Sequence, residues 1–292
     1  MNKPLWRIWL SRLLLLVMVA SVALVGYGYY LTTQTMAQDL AVELATQDIS
    51  VENRQADLQE RKDNAYYQGE VEAVHSSELA EARRYYEETV REIGIGAVHI
   101  PSINLSEPLL AGTSHEALLN GVGTPTPDQQ LGKGLFVGLS HEMQTDQLLG
   151  RINEVPIGEW VYFTDFDKVY VYQVTENIIV HMTDTELLEE TPIDDMARFV
   201  LYRCHGGYGT EYRQVIAGDL MDVYDREDAT DKVQQGLGIA QSQSDVRVVA
   251  ASIVSVPDKI DDLALQAYGI VGSNQVQAAI IFIVMIGIYL IL

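Results

Sequence analysis

The pattern of apolar and polar residues divides the chain into five parts. Residues 1–31 contain a long uncharged apolar run, and residues 32–92 are rich in Ala, Glu, Gln and Leu, with apolar positions at helical spacing. Residues 93–222 consist of short β-rich runs separated by turn residues. Residues 223–275 are mostly polar, and residues 276–292 are apolar again. We therefore predict one β domain, linked to an apolar segment at each end of the chain.

The two apolar segments predict membrane spans. About 20 apolar residues in a helix cross a hydrocarbon core, and residues 13–31 carry no charge. Lys3, Arg7 and Arg12 precede this run and acidic residues follow it, so the N-terminus is expected in the cytoplasm and the bulk of the chain outside. A cleaved signal peptide is the alternative, although no convincing small-x-small site follows. Residues 276–292 predict a second, short span, with a buried core helix as the alternative.

The helical part at 32–92 contains no proline, and its ELAEARRYYEETVRE run alternates charge signs in a helix-compatible pattern. We interpret it as a helical stalk that holds the β domain away from the membrane. The alternative is a lid over an active site, plugged by one of four tyrosines: Tyr66, Tyr67, Tyr85 or Tyr86.

Residues 93–222 have the pattern of a mostly β domain. The runs GAVHIP, LFVGLS, EWVYFTDFDKVYVYQV, ARFVLYRC and YRQVIAGDL have strand length, and no recurrent helices separate them. The segment VYFTDFDKVYVY predicts a hairpin that turns at Asp165, Phe166 and Asp167. We therefore predict a barrel or sandwich here, followed by a polar tether at 223–275.

The charge balance excludes one large class of partners. The chain has 19 Lys and Arg against 41 Asp and Glu, which gives a formal net charge of -22. Because such an excess repels phosphate, nucleic-acid binding is not expected.

The chain also has a single cysteine, Cys204, which cannot form an internal disulfide.

Cys204 is a candidate nucleophile, because a thiol reacts as its thiolate and a nearby cation favours that form. The candidate partners are the six histidines: His75, His99, His115, His141, His181 and His205. Helical or strand-like positions favour a structural role for most of them, and strand alternation turns His205 away from Cys204. His115 and His141 fall on loops, where catalytic groups tend to cluster. Spacing ranks His141 first of these two, because it ends a β run.

Arg213 is the cation that spacing places beside the thiol. The eight residues between Cys204 and Arg213, HGGYGTEY, include three glycines and predict a hairpin connection between antiparallel strands. Both side chains could then face one cleft, where a guanidinium is suited to hold or stabilise a carbonyl oxygen. The alternative is a buried cysteine that acts as a small hydrophobe, with a surface arginine nearby.

The residues around Cys204 resemble the sortases, the membrane-anchored cysteine transpeptidases of Gram-positive bacteria. The family carries a β run that ends in Thr-Leu-x-Thr-Cys, then a loop and an arginine that opens the next strand. Here VLYRCHGGYGTEYRQVIAGDL supplies the cysteine, the arginine and the following strand at a compatible interval. Upstream, VHIPSINLSEPLLAGTSHEALLNGVGTPTPDQQLGKGLFVGLSHEM is similar to the family's Ile-Pro opening and to the histidine that ends its fourth strand. The resemblance covers about residues 93–222. It is closest to class A, whereas the second membrane span is a feature of class C.

The resemblance implies an eight-stranded β-barrel in which Cys204 is the nucleophile, His141 its partner and Arg213 the third catalytic residue. It implies cleavage of a Leu-Pro-x-Thr-Gly-like sorting signal on surface proteins, between Thr and Gly, and transfer of the acyl group to an amine of a cell-wall precursor. No cofactor or metal is implied. Some family members bind calcium near an acidic loop, but we interpret the acidic residues ahead of the cysteine strand as solvated. They are Glu186, Glu189, Glu190, Asp194 and Asp195.

Two departures from the family pattern keep other functions open. Val200 and Arg203 replace the two threonines of the cysteine signature, and an extra cation beside the thiol could alter specificity or the thiolate population. The alternatives are a pilin-polymerising sortase that uses a lysine amine, a catalytically inactive membrane scaffold, and a simple cysteine peptidase.

Overall fold

The structure is a computed structural model that describes residues 5–33, 38–47, 52–65, 74, 76–141, 148–184, 186, 197–206, 210–240, 258–273, 286 and 289. The helices are α1 (Leu5–Thr33), α2 (Gln38–Thr46), α3 (Arg54–Ala65), α4 (Ser76–Arg84), α5 (Tyr86–Ile93), α6 (His115–Asn120), α7 (Asp231–Leu237) and α8 (Asp258–Ser273). The strands are β1 (Gly94–Ile100), β2 (Leu105–Ala111), β3 (Val122–Thr124), β4 (Leu135–Ser140), β5 (Trp160–Thr164), β6 (Lys168–His181), β7 (Arg198–Cys204) and β8 (Tyr212–Asp225). Short 3-10 turns lie at Pro101–Ile103, Leu148–Glu154 and Arg226–Asp228.

The eight strands close into a barrel in the order β1-β2-β3-β4-β7-β8-β6-β5. This confirms the predicted eight-stranded β-barrel. The pairs β2–β3 and β4–β7 are parallel, and the other pairs are antiparallel. The hairpin predicted at 165–167 is also confirmed, since β5 and β6 flank this turn and pair with each other.

Four aromatic rings fill the centre of the barrel. The Phe163 ring lies 5.4 to 5.5 Å, centroid to centroid, from the rings of Phe136, Tyr172 and Phe199. All four side chains are at most 2% exposed. Aromatic pairs at this spacing add to the stabilisation that their burial provides, so these rings form a rigid support for the strands around them.

The helices α2, α3, α5 and α7 belong to the same compact unit as the barrel and pack on it. Residues 32–92 are therefore helical over much of their length, as predicted. However, α2, α3 and α5 pack on the barrel and belong to the same compact unit. Arg54 of α3 donates to the Phe166 carbonyl and forms an ion pair with Asp167 in the β5–β6 turn. Of the four tyrosines considered for a lid, Tyr86 is buried, Tyr85 is exposed, and Tyr66 and Tyr67 lie outside the described residues.

A second compact unit contains α1, α4 and α8, which pack on one another. The Tyr27 hydroxyl of α1 donates to the Asp261 carboxylate of α8, and Arg84 of α4 forms an ion pair with Asp262. Residues Ile8–Thr32 of α1 are long and apolar enough to cross a membrane, which fits the predicted N-terminal anchor.

Several elements were not predicted from the sequence. Strands β2 and β3 are missing from the predicted runs, because β2 contains Pro108 and β3 has only three residues. Strand β8 continues to Asp225, and the stretch interpreted as a polar tether contains α7 and α8. The predicted second span at 276–292 lies outside the described residues, apart from Ile286 and Tyr289.

Candidate active site

Strand pairing brings the predicted site residues to one end of the barrel. Cys204, the last residue of β7, is in register with Arg213 in the antiparallel strand β8. On the other side of β7, the parallel strand β4 ends where Ser140 is in register with Arg203, and His141 follows directly. The three candidate residues therefore lie at the ends of three adjacent strands: His141 directly follows β4, Cys204 ends β7, and Arg213 is near the start of β8.

Alternation along β7 places Tyr202 and Cys204 on the outer face of the barrel. Tyr202 packs there against a small cluster of Val200, Val215 and Ala217, separate from the central core. Burial raises the pKa of Tyr202 above its ordinary value, and the positive charge of Arg213 opposes this shift. The guanidinium thus acts on the same outer face as the thiol.

Arg213 is anchored to its own loop. Its Nη1 donates to the carbonyls of Thr210 and Tyr212, both at 2.9 Å. The Thr210 hydroxyl in turn donates to the His205 carbonyl at 2.6 Å and accepts from the Tyr212 amide at 3.2 Å. The backbone bond from His205 to Tyr212 extends the β7–β8 ladder one residue past Cys204. These bonds hold both ends of the loop between Cys204 and Arg213.

His141 and His115 were the two candidate partners on loops, and the structure brings them together. The His141 Nε2 lies 3.2 Å from the His115 Nδ1, and the two rings meet edge to face with centroids 4.9 Å apart. Helix α6 presents His115 as its first residue, after an N-cap in which the Ser114 hydroxyl accepts from the Ala117 amide. The His141 amide donates to the Leu118 carbonyl of the same helix. Helix α6 thus fixes the position of His141.

The side chain of Arg203 was expected beside the thiol, but the structure places it on the opposite, inner face of β7. It is 6% exposed, and its guanidinium donates to the carbonyls of Leu149, Gly150 and Cys204. Strand alternation explains this, since neighbours in a strand point to opposite faces. The expected extra cation therefore binds backbone oxygens in the interior.

An apolar surface adjoins the outer-face residues. Val180 of β6 is in register with Arg213, and Ile178 is in register with Val215. Ile178 is 40% exposed, and Val180, like Tyr202, packs against the outer cluster. This face therefore presents apolar side chains next to Arg213.

Two further histidines, His99 and His181, lie in other strands. His99 is buried in β1, where its Nδ1 lies 2.9 Å from the Leu105 carbonyl, and His181 ends β6, where its Nε2 lies 3.5 Å from a Glu211 carboxylate oxygen. His75 lies outside the described residues.

No group of three or more His, Cys, Asp or Glu side chains that could hold a metal ion occurs among the described residues. Of the acidic residues considered for calcium, Glu186 is exposed. The other four, Glu189, Glu190, Asp194 and Asp195, lie outside the described part of the chain.

The arrangement has the parts needed for acyl transfer through a thioester. A thiol, an imidazole and a guanidinium can serve as nucleophile, proton carrier and oxyanion stabiliser. The sequence analysis named Cys204, His141 and Arg213 as candidates and kept His115 as an alternative partner. It did not identify Ser140, and it did not predict that the Arg203 side chain faces inward. Strand alternation could have predicted that Arg203 faces inward, whereas its partners at 149–150 depend on the tertiary fold.

Comparisons of the amino-acid sequence with known proteins identify a family. The sortase domain family matches residues 98–221. Sortase A of Listeria monocytogenes is 32% identical over 127 residues, which cover 43% of this chain and 56% of that protein. The putative sortase YwpE of Bacillus subtilis is 32% identical over 98 residues, which cover 33% of this chain and 93% of that protein. The crystal structure of Listeria monocytogenes sortase A aligns with a TM-score of 0.46 at 27% identity, over 51% of this chain and 99% of that one.

Proposed function

Because the chain belongs to the sortase family, we propose that it is a cysteine transpeptidase in which Cys204 is the nucleophile, His141 the general acid and base, and Arg213 the oxyanion stabiliser. One observation carries this proposal: the pairing of β4, β7 and β8 brings these three residues to the same end of the barrel. In the first step the Cys204 thiolate attacks the carbonyl carbon of the scissile peptide bond. The developing oxyanion is stabilised by the guanidinium of Arg213.

The tetrahedral intermediate then loses its amine. The C–N bond breaks, and protonated His141 gives its proton to the leaving nitrogen, so that a thioester to Cys204 and a free amine result. In the second step an acceptor amine attacks the thioester carbonyl. His141 takes the amine's proton, the C–S bond breaks, and the Cys204 thiolate is restored. Every proton released is accepted at one ring, so no other group has to enter the reaction.

The proposed donor is a surface protein with a Leu-Pro-x-Thr-Gly-like sorting signal, cut between Thr and Gly. The apolar outer face at Ile178, Val180 and Tyr202 suits the apolar residues that precede the scissile bond. The proposed acceptor is an amine of a cell-wall precursor. Helix α1 fits a membrane anchor, and we propose that it leaves the N-terminus in the cytoplasm and the barrel outside. Such an anchor would keep the enzyme beside membrane-bound precursors.

Mass spectrometry of the full chain in detergent micelles tests the proposal. The protein is incubated with a Leu-Pro-x-Thr-Gly peptide, alone and with triglycine, and its intact mass is measured. We expect a covalent adduct that contains the peptide up to Thr, a ligated product when triglycine is present, and neither in Cys204→Ala. Because Cys204 is the only cysteine, the site of the adduct is unambiguous.

The other outcomes separate the alternatives. Transfer only to a lysine side chain of a pilin-like peptide would assign the enzyme to pilin assembly. Release of free peptide acid with every amine tested would make it a peptidase. If a folded protein forms no adduct with any sorting-signal peptide, the proposal fails and the inactive scaffold gains support.

A further inference from the structure

Arg203 and Ser140, which precede Cys204 and His141, both form hydrogen bonds with the backbone of Leu149. Ser140 and Arg203 are register partners across β4 and β7, and both face inward. The Ser140 hydroxyl accepts from the Leu149 amide at 3.3 Å, and the Arg203 Nε donates to the Leu149 carbonyl at 2.9 Å. The two strand ends that carry the proposed catalytic pair are therefore tied to one residue of the 148–154 turn.

Arg203 extends this connection to the nucleophile itself. Its Nη1 donates to the Cys204 carbonyl at 2.8 Å, and its Nη2 donates to the Gly150 carbonyl at 2.8 Å and to the Asn153 side-chain oxygen at 3.3 Å. A planar guanidinium with several donors in a fixed fork holds such a set of acceptors in one geometry. Arg203 thus bridges the backbone of Cys204 and the turn.

The 148–154 turn is itself held in place. Leu148 has a positive φ of 50°, and its amide donates to the Glu107 carboxylate of β2 at 3.2 Å. Asn177 of β6 donates to the Ile152 and Val155 carbonyls at 3.1 and 2.7 Å. Because the turn is tied to two further strands, it can act as a fixed support for Arg203.

Cys204 is the last residue of its strand, and only one further ladder bond, from His205 to Tyr212, separates it from a glycine-rich loop. A threonine before the cysteine, as in the family signature, offers one short hydroxyl and cannot span the Leu149, Gly150 and Cys204 carbonyls. A misplacement of about 1 Å at a reacting centre can cost about 100-fold in rate. The position of the Cys204 backbone is therefore expected to affect the chemical step.

We propose that Arg203 is a positioning residue. It sets the placement of Cys204 relative to His141 by joining the Cys204 carbonyl to the turn that Ser140 also holds. The inference rests on the proposed function, and it accounts for an arginine at a position where the family signature has threonine.

The test uses the full chain in detergent with Arg203→Thr, Arg203→Lys, Ser140→Ala and the double variant Ser140→Ala with Arg203→Thr. Arg198→Ala is the matched control, because Arg198 lies in the same strand at the other end of the barrel and pairs with Glu176. Peptide turnover gives kcat and KM. The rate at which iodoacetamide alkylates Cys204 provides a second readout that needs no substrate.

We expect Arg203→Thr to lower kcat by about 100-fold, with KM changed less than about threefold, and to slow alkylation. Arg203→Lys should be intermediate, because it keeps the charge and loses the fork. Since Ser140 and Arg203 share Leu149, their effects on kcat should be clearly non-additive. Arg198→Ala should leave both readouts unchanged.

Full kcat and an unchanged alkylation rate in a folded Arg203→Thr protein would overturn the proposal. Full activity of Arg203→Lys would also overturn it, because charge alone would then suffice. If Arg203→Thr does not fold, kcat and the alkylation rate of Cys204 in Arg203→Lys and Ser140→Ala test the proposal instead. A wild-type protein that turns over no peptide contradicts the proposed function, whereas the alkylation rates still test the placement of Cys204.

Discussion

Replacement of Arg213 by alanine separates a catalytic role from a structural one. The bonds of its Nη1 go to two carbonyls of its own loop, at Thr210 and Tyr212. The side chain is only partly buried, so water can replace these bonds in the variant. Each of the two hydrogen bonds contributes about 1 kcal/mol to folding. We therefore expect Arg213→Ala to lower the free energy of unfolding by at most about 2 kcal/mol.

The expected effect on the reaction is much larger. Loss of one group that stabilises an oxyanion costs about 100-fold to 1,000-fold in rate, or about 3–4 kcal/mol. The kinetic loss should therefore exceed the stability loss by at least about 1 kcal/mol. Arg213→Lys should recover part of the rate, because it keeps a positive charge next to Cys204 but offers a different donor geometry.

Two measurements on the same protein test this difference. Single-turnover formation of the thioester, followed by intact mass, gives the acylation rate, and denaturant unfolding gives the stability. Arg198→Ala, on the same barrel but at its other end, controls for the loss of an arginine. If Arg213→Ala acylates at the wild-type rate, the proposed role of Arg213 is refuted, and equal kinetic and stability losses would refute the reasoning about its magnitude.

Three further results are expected. His141→Ala should abolish thioester formation, whereas His115→Ala should only slow it. If His115→Ala formed no thioester and His141→Ala acylated at the normal rate, His115 would be the catalytic histidine. Burial lowers the pKa of His99, so the folded state should lose stability as pH falls below about 6.5; unfolding midpoints between pH 7.5 and 5 should depend less on pH in His99→Leu. Burial raises the pKa of Tyr172 to about 12, so stability should fall as pH rises above about 10; this fall should be smaller in Tyr172→Phe.

Local patterns were enough to predict much of the barrel. Short β-rich runs predicted β1 and β4 to β8, and three glycines predicted the connection that sets Cys204 opposite Arg213. Short or proline-containing strands gave no such pattern, so β2 and β3 were missed. The helices at 38–65 were predicted as helices, but their apolar stripe does not reveal which surface it covers. Their packing on the barrel therefore became visible only in the structure.

The placement of Cys204 and His141 at the same end of the barrel could not be derived from the sequence, because it depends on a parallel strand pair. Strands β4 and β7 are separated by β5 and β6, and their register follows from how the whole barrel closes. The resemblance to a family supplied His141, whereas spacing only ranked it above His115. The surroundings of the Arg203 side chain, which was expected beside the thiol, also depend on how the barrel closes. Strand alternation directs its side chain into the end of the barrel, where it donates to carbonyls of the 148–154 turn. No local sequence pattern predicts that these carbonyls lie there. Arg203 thus holds the backbone of Cys204 from the interior, while its charge stays on the opposite face of the strand from the thiol.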